Sequence, residues 1–320
     1  MNCVLLDRAS MDTGDLDWSE LRSCVKSLKS YDFVDPSQMR EILQNADVVV
    51  TNKVVLDRKV LSTCKRLKLI CVAATGTNNI DRQAAAENGI VVSNARGYAT
   101  ASVVEHAFSM MTSLMRNMGD YQQAATDGRW ASSHEFCFLD RSISELSGKC
   151  IGIVGYGVLG RAIEKLAIAF GMTVLIAQRP GSLAALEGRV ALEDMLPRVD
   201  ILSLHCPLSE STKNLIDLAM FKRMKPGAIL VNTARGGIVN EQDLEQALRI
   251  GLIAGAGIDV LSEEPPQSDN ILLQQKGLNL LVTPHVAWAS REARQRLVAE
   301  IVSNINAFTA GEPRNIVNPE

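Results

Sequence analysis

Three polar side chains stand at or just after the ends of apolar runs in the last third of the chain. Arg235 follows Val231-Asn232-Thr233-Ala234, and Gly236 and Gly237 behind it allow close backbone approach. Glu264 follows a run that ends in Asp259, in an acidic turn stiffened by Pro265 and Pro266. His285 follows Val282-Thr283-Pro284 and precedes Val286-Ala287-Trp288. Taken singly, each has an ordinary reading: a surface ion pair, a solvated turn acid, a packed loop histidine. Together they form a constellation. A guanidinium holds a carboxylate and polarises a ketone, an imidazole gives a proton to the new hydroxyl, and an acid keeps that donor charged. These are the roles required when a hydride is added to a 2-oxo acid. By position alone, Glu263 and Glu264 both qualify as the acid.

A hydride needs a carrier, and Gly155-Tyr156-Gly157-Val158-Leu159-Gly160 provides a place for one. A lone G-x-G-x-x-G is weak. Here it directly follows the apolar run Cys150 to Val154 and opens a helical stretch, the context that gives the pattern its meaning. Gly155 permits the tight turn, Gly157 lets a pyrophosphate reach the backbone, and Gly160 lets helix and strand pack closely. The phosphates then sit on N–H groups at a helix start. The residue ending the next strand reads the ribose, and a carboxylate there selects NAD. This chain has Gln178, followed by Arg179. No acid stands there to repel a 2'-phosphate and a guanidinium is adjacent, which favours NADP over NAD. The other reading has Gln178 bonding a free ribose while Arg179 stacks on adenine.

The elements that position these residues are βαβ units. In the first hundred residues, Val4 to Leu6, Asp47 to Thr51, Leu69 to Ala73 and Gly89 to Ser93 read as strands, with helices at Pro36 to Asn45 and Asp81 to Asn88 between them. Continuous apolar runs fit parallel strands covered on both faces. A long helix follows, with Val103, Val104, Ala107, Phe108, Met111, Leu114, Met115 and Met118 at helical spacing. Thr100 or Ser102 is the expected cap and Gly119 the expected end. Its methionine stripe fits core or a subunit contact. Residues 120–147 show little regular signal, with Trp130, Phe136 and Phe138 scattered through them, and an arm wrapped on a second subunit explains such a segment. Six further strands then begin near 150, 173, 199, 228, 253 and 278, before a last helix from Ser290 to Thr309.

Composition narrows the function classes. The 320 residues are 47% hydrophobic and 22% charged, which suits about two globular domains. Lys and Arg number 33 against 36 Asp and Glu, and no basic run appears, so no nucleic-acid partner is expected. No apolar run approaches a membrane span, and Met1 to Asp7 lacks the pattern of a secretory signal. The seven scattered cysteines, without C-x-x-C, fit reduced thiols in the cytoplasm. No metal site is expected.

The chain resembles the D-isomer-specific 2-hydroxyacid dehydrogenase family over essentially its whole length, and within it the glycerate dehydrogenase, or hydroxypyruvate reductase, branch. The likeness rests on the fingerprint at 155–160, His205-Cys206-Pro207-Leu208, Asn232 to Gly236, Asp259-Val260 with Glu264-Pro265, and Thr283-Pro284-His285. Thr51-Asn52-Lys53-Val54 and Ala73 to Asp81 carry the branch. The resemblance implies two doubly wound parallel-sheet domains: a Rossmann dinucleotide domain, 101–285, inserted in a flavodoxin-like substrate domain of 1–100 and 286–320, with a cleft that closes on substrate. It implies that Arg235 holds the substrate carboxylate and carbonyl, and that His285 is the general acid/base paired with Glu264. The N–H groups of Thr75 and Gly76 would cradle the carboxylate, and Asn52 and Trp288 belong with the substrate-binding residues. Asp259 and carbonyls near Thr233 and Ala234 would orient the nicotinamide, and Cys206 and Pro207 would line the adenosine side. His106 and His134 match no catalytic position and are read as structural. A homodimer is implied, paired through the dinucleotide domain.

The expected activity is therefore reduction of hydroxypyruvate, and of glyoxylate, by NADPH or NADH. Asn52 and Lys53, after a strand, bring polar groups suited to a short hydroxymethyl substituent. Two alternatives share the scaffold. Phosphoglycerate dehydrogenase needs extra cations for a phosphate, and only Lys53 and Arg96 stand out. A corepressor-like nucleotide sensor is expected to add partner-binding segments, and almost none flank this scaffold.

Overall fold

The computed structural model describes residues 1–179, 181, 186–275 and 277–319. The chain divides into two compact units, Met1–Ala99 with Trp288–Glu320, and Thr100–Ala287.

The first unit is a five-stranded parallel sheet with helices on both faces. Its elements are β1 (Asn2–Leu5), α1 (Ser19–Cys24), β2 (Ser27–Ser30), α2 (Met39–Leu43), β3 (Val48–Thr51), α3 (Arg58–Leu61), β4 (Leu69–Val72), α4 (Arg82–Glu87) and β5 (Val91–Ser93). The order is β2-β1-β3-β4-β5, the flavodoxin-like arrangement. Every residue of β3 and β4 is buried, as their unbroken apolar runs require. One face packs on Leu297, Val298, Ile301, Val302 and Ile305 of the last helix; the other packs on Met39, Leu43, Leu61, Ala84 and Ala85.

The second unit holds α5 (Thr100–Met115), α6 (Met118–Thr126), β6 (Cys150–Val154), α7 (Val158–Ala169), β7 (Thr173–Ile176), α8 (Leu192–Met195), β8 (Ile201–Leu204), α9 (Leu218–Phe221), β9 (Ile229–Asn232), α10 (Glu241–Arg249), β10 (Gly255–Ile258) and β11 (Leu280–Val282). Its six parallel strands lie in the order β11-β10-β9-β8-β6-β7. Both doubly wound parallel sheets expected from the sequence are present. β6 lies between β7 and β8, so the winding reverses there, and loops after β6 and β8 face each other at a topological switch point. An isolated parallel bridge, Ala177 to Val190, extends the sheet beyond β7. The last helix, α11 (Arg291–Thr309), returns to the first unit. Ser290 Oγ accepts from Ala293 N at its start, as an N-cap does.

Several expected boundaries change. The long helix stops at Met115, not at Gly119, because Asn117 takes the left-handed conformation (φ +49°) and breaks it. Gly119 lies inside α6, so the segment read as irregular from residue 120 begins as helix. Ser102 is no cap. It lies within α5, and its hydroxyl donates to Ala287 O at 2.6 Å. Of the methionine stripe, Met111 and Met115 are core of their own unit, while Met118 is exposed; Met110, outside the stripe, is also buried, and a Cβ on Gly257 would meet it at 3.0 Å. The strand β2 has no counterpart among the expected strands. Ser27-Leu28-Lys29-Ser30 sits at a sheet edge, mostly exposed, and carries no buried periodicity to read.

Beyond α6, residues 127–147 form neither helix nor strand. The segment folds on itself through Tyr121 stacked on Phe138 (5.8 Å), Arg129 over the Phe138 ring (4.2 Å) and Trp130 Nε1–H donating to Phe136 O (3.0 Å). Phe136 remains 90% exposed.

Candidate active site

The fingerprint turn follows β6. Gly155 has φ +93°, and a Cβ there would stand 2.5 Å from the His205 and Cys206 backbone. A Cβ on Gly160 would lie 2.3 Å from Gly155 O, so α7 packs directly on the turn. Gly157 is different: a Cβ there would meet nothing within 4 Å. It precedes α7 in an extended conformation, with no side chain capping the helix. Open space over the first turn of a helix is what a pyrophosphate requires.

Three buried polar atoms among the described residues lack a partner: Gln178 Oε1, His205 Nδ1 and Thr233 Oγ1. They follow β7, β8 and β9 respectively, three strand ends on one side of the sheet. Buried polar groups in native structures are nearly always bonded. An edge of orphaned groups beside an uncapped helix start therefore fits a dinucleotide. Cys206 is buried, and burial pushes its thiol up to about 11, so it acts as wall rather than nucleophile. Tyr156 lies beneath the guanidinium of Arg189, 4.4 Å from the ring centroid. Arg179 is exposed.

The next turn presents Arg235. Asn232, 2% exposed, closes it by donating from Nδ2 to Arg235 O (2.9 Å) and accepting Ala234 N–H at Oδ1 (3.0 Å). Gly236 is pressed against the following loop, where a Cβ would fall 1.9 Å from Leu261 O. Leu261 N–H then donates to Glu264 Oε1 (2.9 Å), and Glu264 Oε2 lies 2.6 Å from His285 Nδ1. One continuous series of contacts thus fixes the Arg235 turn, Glu264 and His285 relative to one another. Glu264 meets His285, while Glu263 Oε1 accepts from Gln267 Nε2 (2.7 Å). An ionised carboxylate only accepts, so Nδ1 carries the hydrogen of that contact.

Asp259, 1% exposed, lies under the His285 loop. Its carboxylate accepts from Thr283 Oγ1 (2.6 Å), Val286 N (2.9 Å) and Ala287 N (3.0 Å). It holds the loop, a role the sequence did not disclose.

In the first unit, Thr75 and Gly76 follow β4. The loop is tied by Thr75 Oγ1 to Ala95 O (3.0 Å) and by Asn94 Nδ2 to Thr75 O (2.7 Å). Among the described residues, the N–H groups of Thr75 and Gly76 donate to no protein acceptor. Asn52 is turned inward: it is 4% exposed and its amide donates to Ser10 Oγ (3.1 Å), while Asp7 accepts the N–H groups of Asn52 (2.9 Å) and Lys53 (2.7 Å). Trp288 packs edge-on to Tyr98 at 6.3 Å.

A model of the D-isomer specific 2-hydroxyacid dehydrogenase NAD-binding domain matches residues 108–287. The chain belongs to the D-isomer-specific 2-hydroxyacid dehydrogenase family. It is 43% identical over 315 residues to a glycerate dehydrogenase of Methylorubrum extorquens, covering 98% of both chains. It is 39% identical over 325 residues to a hydroxypyruvate reductase of Blautia hydrogenotrophica, covering 99% of this chain and all of the other. Among solved structures, an NADPH-dependent glyoxylate/hydroxypyruvate reductase of Sinorhizobium meliloti, in complex with NADP and malonate, superposes with a TM-score of 0.78. The two are 25% identical, over 99% of this chain and 96% of that one. Membership makes the protein a nicotinamide-dinucleotide oxidoreductase, and the matched span contains the whole series from the fingerprint to His285.

His205 opens the His205-Cys206-Pro207-Leu208 motif after β8. The residue is half-buried with its Nδ1 shut off from solvent, Nε2 lies 2.8 Å from Ser203 Oγ, and desolvation lowers its pKa to about 4. The folded value lies below the unfolded one. As pH falls, the unfolded chain therefore takes up a proton that the folded chain refuses, and stability is lost between about 6.5 and about 4. The loss amounts to about 3 kcal/mol over that window. Thermal melts of cofactor-free protein should show this slope, and His205→Asn should flatten it. An unchanged slope in the variant would remove His205 from the account.

Proposed function

We propose that the protein reduces hydroxypyruvate to D-glycerate and glyoxylate to glycolate. The observation that carries the reading is the linked series from Arg235 through Leu261 and Glu264 to His285, behind a dinucleotide turn. A bound nicotinamide supplies a hydride to the ketone carbon. Arg235 holds the substrate's carboxylate and draws charge from its carbonyl oxygen. His285, oriented by Glu264, gives a proton from Nε2 to that oxygen as it becomes a hydroxyl. The N–H groups of Thr75 and Gly76 suit a carboxylate. The unit Thr100–Ala287 serves as the dinucleotide domain and the other as the substrate domain. Names of the relatives support the substrate class.

We further propose that NADPH is used at least as well as NADH. Gln178 puts a neutral amide where an acid would repel a 2'-phosphate, and its orphaned oxygen accepts a ribose hydroxyl. Arg179 is adjacent, and Arg189 brings a second guanidinium to the same strand end through the Ala177–Val190 bridge. A charge-assisted bond is worth about 1.5–3 kcal/mol, roughly ten- to a hundredfold in affinity. One experiment addresses both proposals: a panel of 2-oxo acids assayed with each cofactor, on wild type and Arg179→Ala. Hydroxypyruvate should give the highest kcat/KM, and the variant should lose NADPH affinity while NADH affinity holds. Preference for a branched 2-oxo acid would overturn the substrate. Equal losses for both cofactors would leave Arg179 merely packed on adenine.

The arm from 127 to 147 supports a homodimer, since Trp130, Phe136 and Leu139 stay exposed on it. Sedimentation showing only a 34.8 kDa species at micromolar concentration would refute that state. Seven free thiols support a reducing compartment, the cytoplasm. Among the described residues, no helix is long and apolar enough to cross a membrane.

A further inference from the structure

His285 stands in a conformation that must be held. Its φ is +53°, in the left-handed region that non-glycine residues rarely occupy, and such a conformation persists only where the surroundings over-determine it. The loop's own bonds are one part of that: His285 N–H donates to Asp259 O (2.8 Å), and Asp259 takes the amides of Val286 and Ala287.

The other part comes from α5. Ser102 and His106 are one helical turn apart, so they project from the same face. Ser102 Oγ donates to Ala287 O at 2.6 Å, at the end of the loop. His106 Nε2 lies 3.0 Å from Thr283 Oγ1, at its beginning, and 3.6 Å from Asp259 Oδ1. The direction of the His106 bond follows from counting hydrogens. The Thr283 hydroxyl has one, given to Asp259 Oδ1 at 2.6 Å, so towards His106 it accepts. His106 therefore carries a hydrogen on Nε2, and the relay runs from His106 through Thr283 to Asp259. Two residues of one helix thus grip both ends of the segment that carries the proton donor.

We propose that His106 is a positioning residue for hydride transfer, holding the Thr283–Ala287 loop so that His285 meets Glu264 and the substrate in register. The proposal rests on the reading of His285 as proton donor. It assigns His106 no contact with substrate. Misplacing a catalytic group by a fraction of an ångström costs rate more than affinity, because alignment is realised at the transition state.

The test uses two substitutions in the full chain. His106→Phe keeps a ring but removes the donor. His106→Gln places an amide N–H at nearly the same reach and can still donate to Thr283. The expected result is that the Phe variant loses about tenfold in kcat. KM for hydroxypyruvate and the NADPH dissociation constant, measured by fluorescence titration, should hold within about twofold. The Gln variant should recover most of the rate. A second readout needs no turnover. The short His285 Nδ1–H bond to Glu264 should give a downfield proton resonance in the free protein, shifted or broadened by the Phe substitution and retained by Gln. Lower melting temperatures with unchanged kcat and an unchanged resonance would overturn the proposal, as would a Gln variant no better than Phe. His285→Ala separates the two readings. Full activity in that variant would refute His285 as donor, whereas an inactive His285→Ala beside fully active His106 variants would refute the clamp alone.

Discussion

His285→Ala is expected to lower kcat for reduction of hydroxypyruvate by about 10²- to 10⁴-fold, the contribution of a positioned proton donor. The dissociation constant of the nicotinamide cofactor should change little. The asymmetry follows from where the ring stands. His285 follows β11, and its Nδ1 is held by Glu264 at 2.6 Å. The buried polar atoms that suit a dinucleotide stand after β7, β8 and β9. Removal of the imidazole leaves those strand ends intact and takes away only the proposed proton donor. Glu264→Gln should lower kcat as well, because the carboxylate that meets Nδ1 and orients the ring is lost. Steady-state profiles of kcat for wild type and both variants, with cofactor titrations, check the prediction. Wild-type turnover in His285→Ala would end the assignment.

The same region shows what a sequence discloses and what it conceals. The turn at 155–160 was legible because each glycine answers a local demand: a positive φ at Gly155, open space at Gly157, and helix contact at Gly160. Arg235 and His285 were legible because each stands just after a strand end, and Glu264 because it lies in the acidic, proline-stiffened turn that follows β10; strand ends of an open sheet meet ligands. Residues that hold those groups were not legible. Asp7 reaches across 45 positions to cap the Asn52 turn, and His106 reaches across 177 to meet Thr283. Neither side chain has a local pattern, since its partner is set by tertiary packing. Asn52 shows the converse error. Its type and place after β3 favour an outward polar contact, but at 4% exposure its amide needs an internal partner, and Ser10 provides it. The break at Asn117 escaped because the apolar spacing of Met111, Met115 and Met118 runs straight through it, while a left-handed asparagine leaves no trace in periodicity.

Arg235→Lys is expected to cost about 10²- to 10³-fold in kcat, comparable to loss of a preorganised donor at a developing oxyanion. It should also raise KM for the 2-oxo acid by about tenfold, as a charge-assisted bond is lost. Both effects come from geometry rather than charge, since lysine keeps the charge. The Arg235 turn is rigid: Asn232 closes it from within, and Gly236 lies against Leu261. Nη1 donates to Ala234 O at 2.7 Å, which orients the guanidinium plane against its own turn. The remaining N–H donors then form a fixed fork that can engage a carboxylate and a neighbouring carbonyl together. An ammonium has no plane to orient, and its donors rotate about a flexible stem. It can attract the carboxylate or approach the carbonyl, but it does not arrive preorganised for both. Polarisation of the ketone is the interaction that strengthens as charge develops on oxygen, so the rate suffers more than the affinity. The melting temperature should stay close to wild type, because Arg235 is only half-buried and the turn is held by Asn232. Steady-state kinetics with hydroxypyruvate and glyoxylate, beside a thermal melt, decide the matter. Retention of both kcat and KM would show that a point charge suffices, and the role of the fork would be refuted.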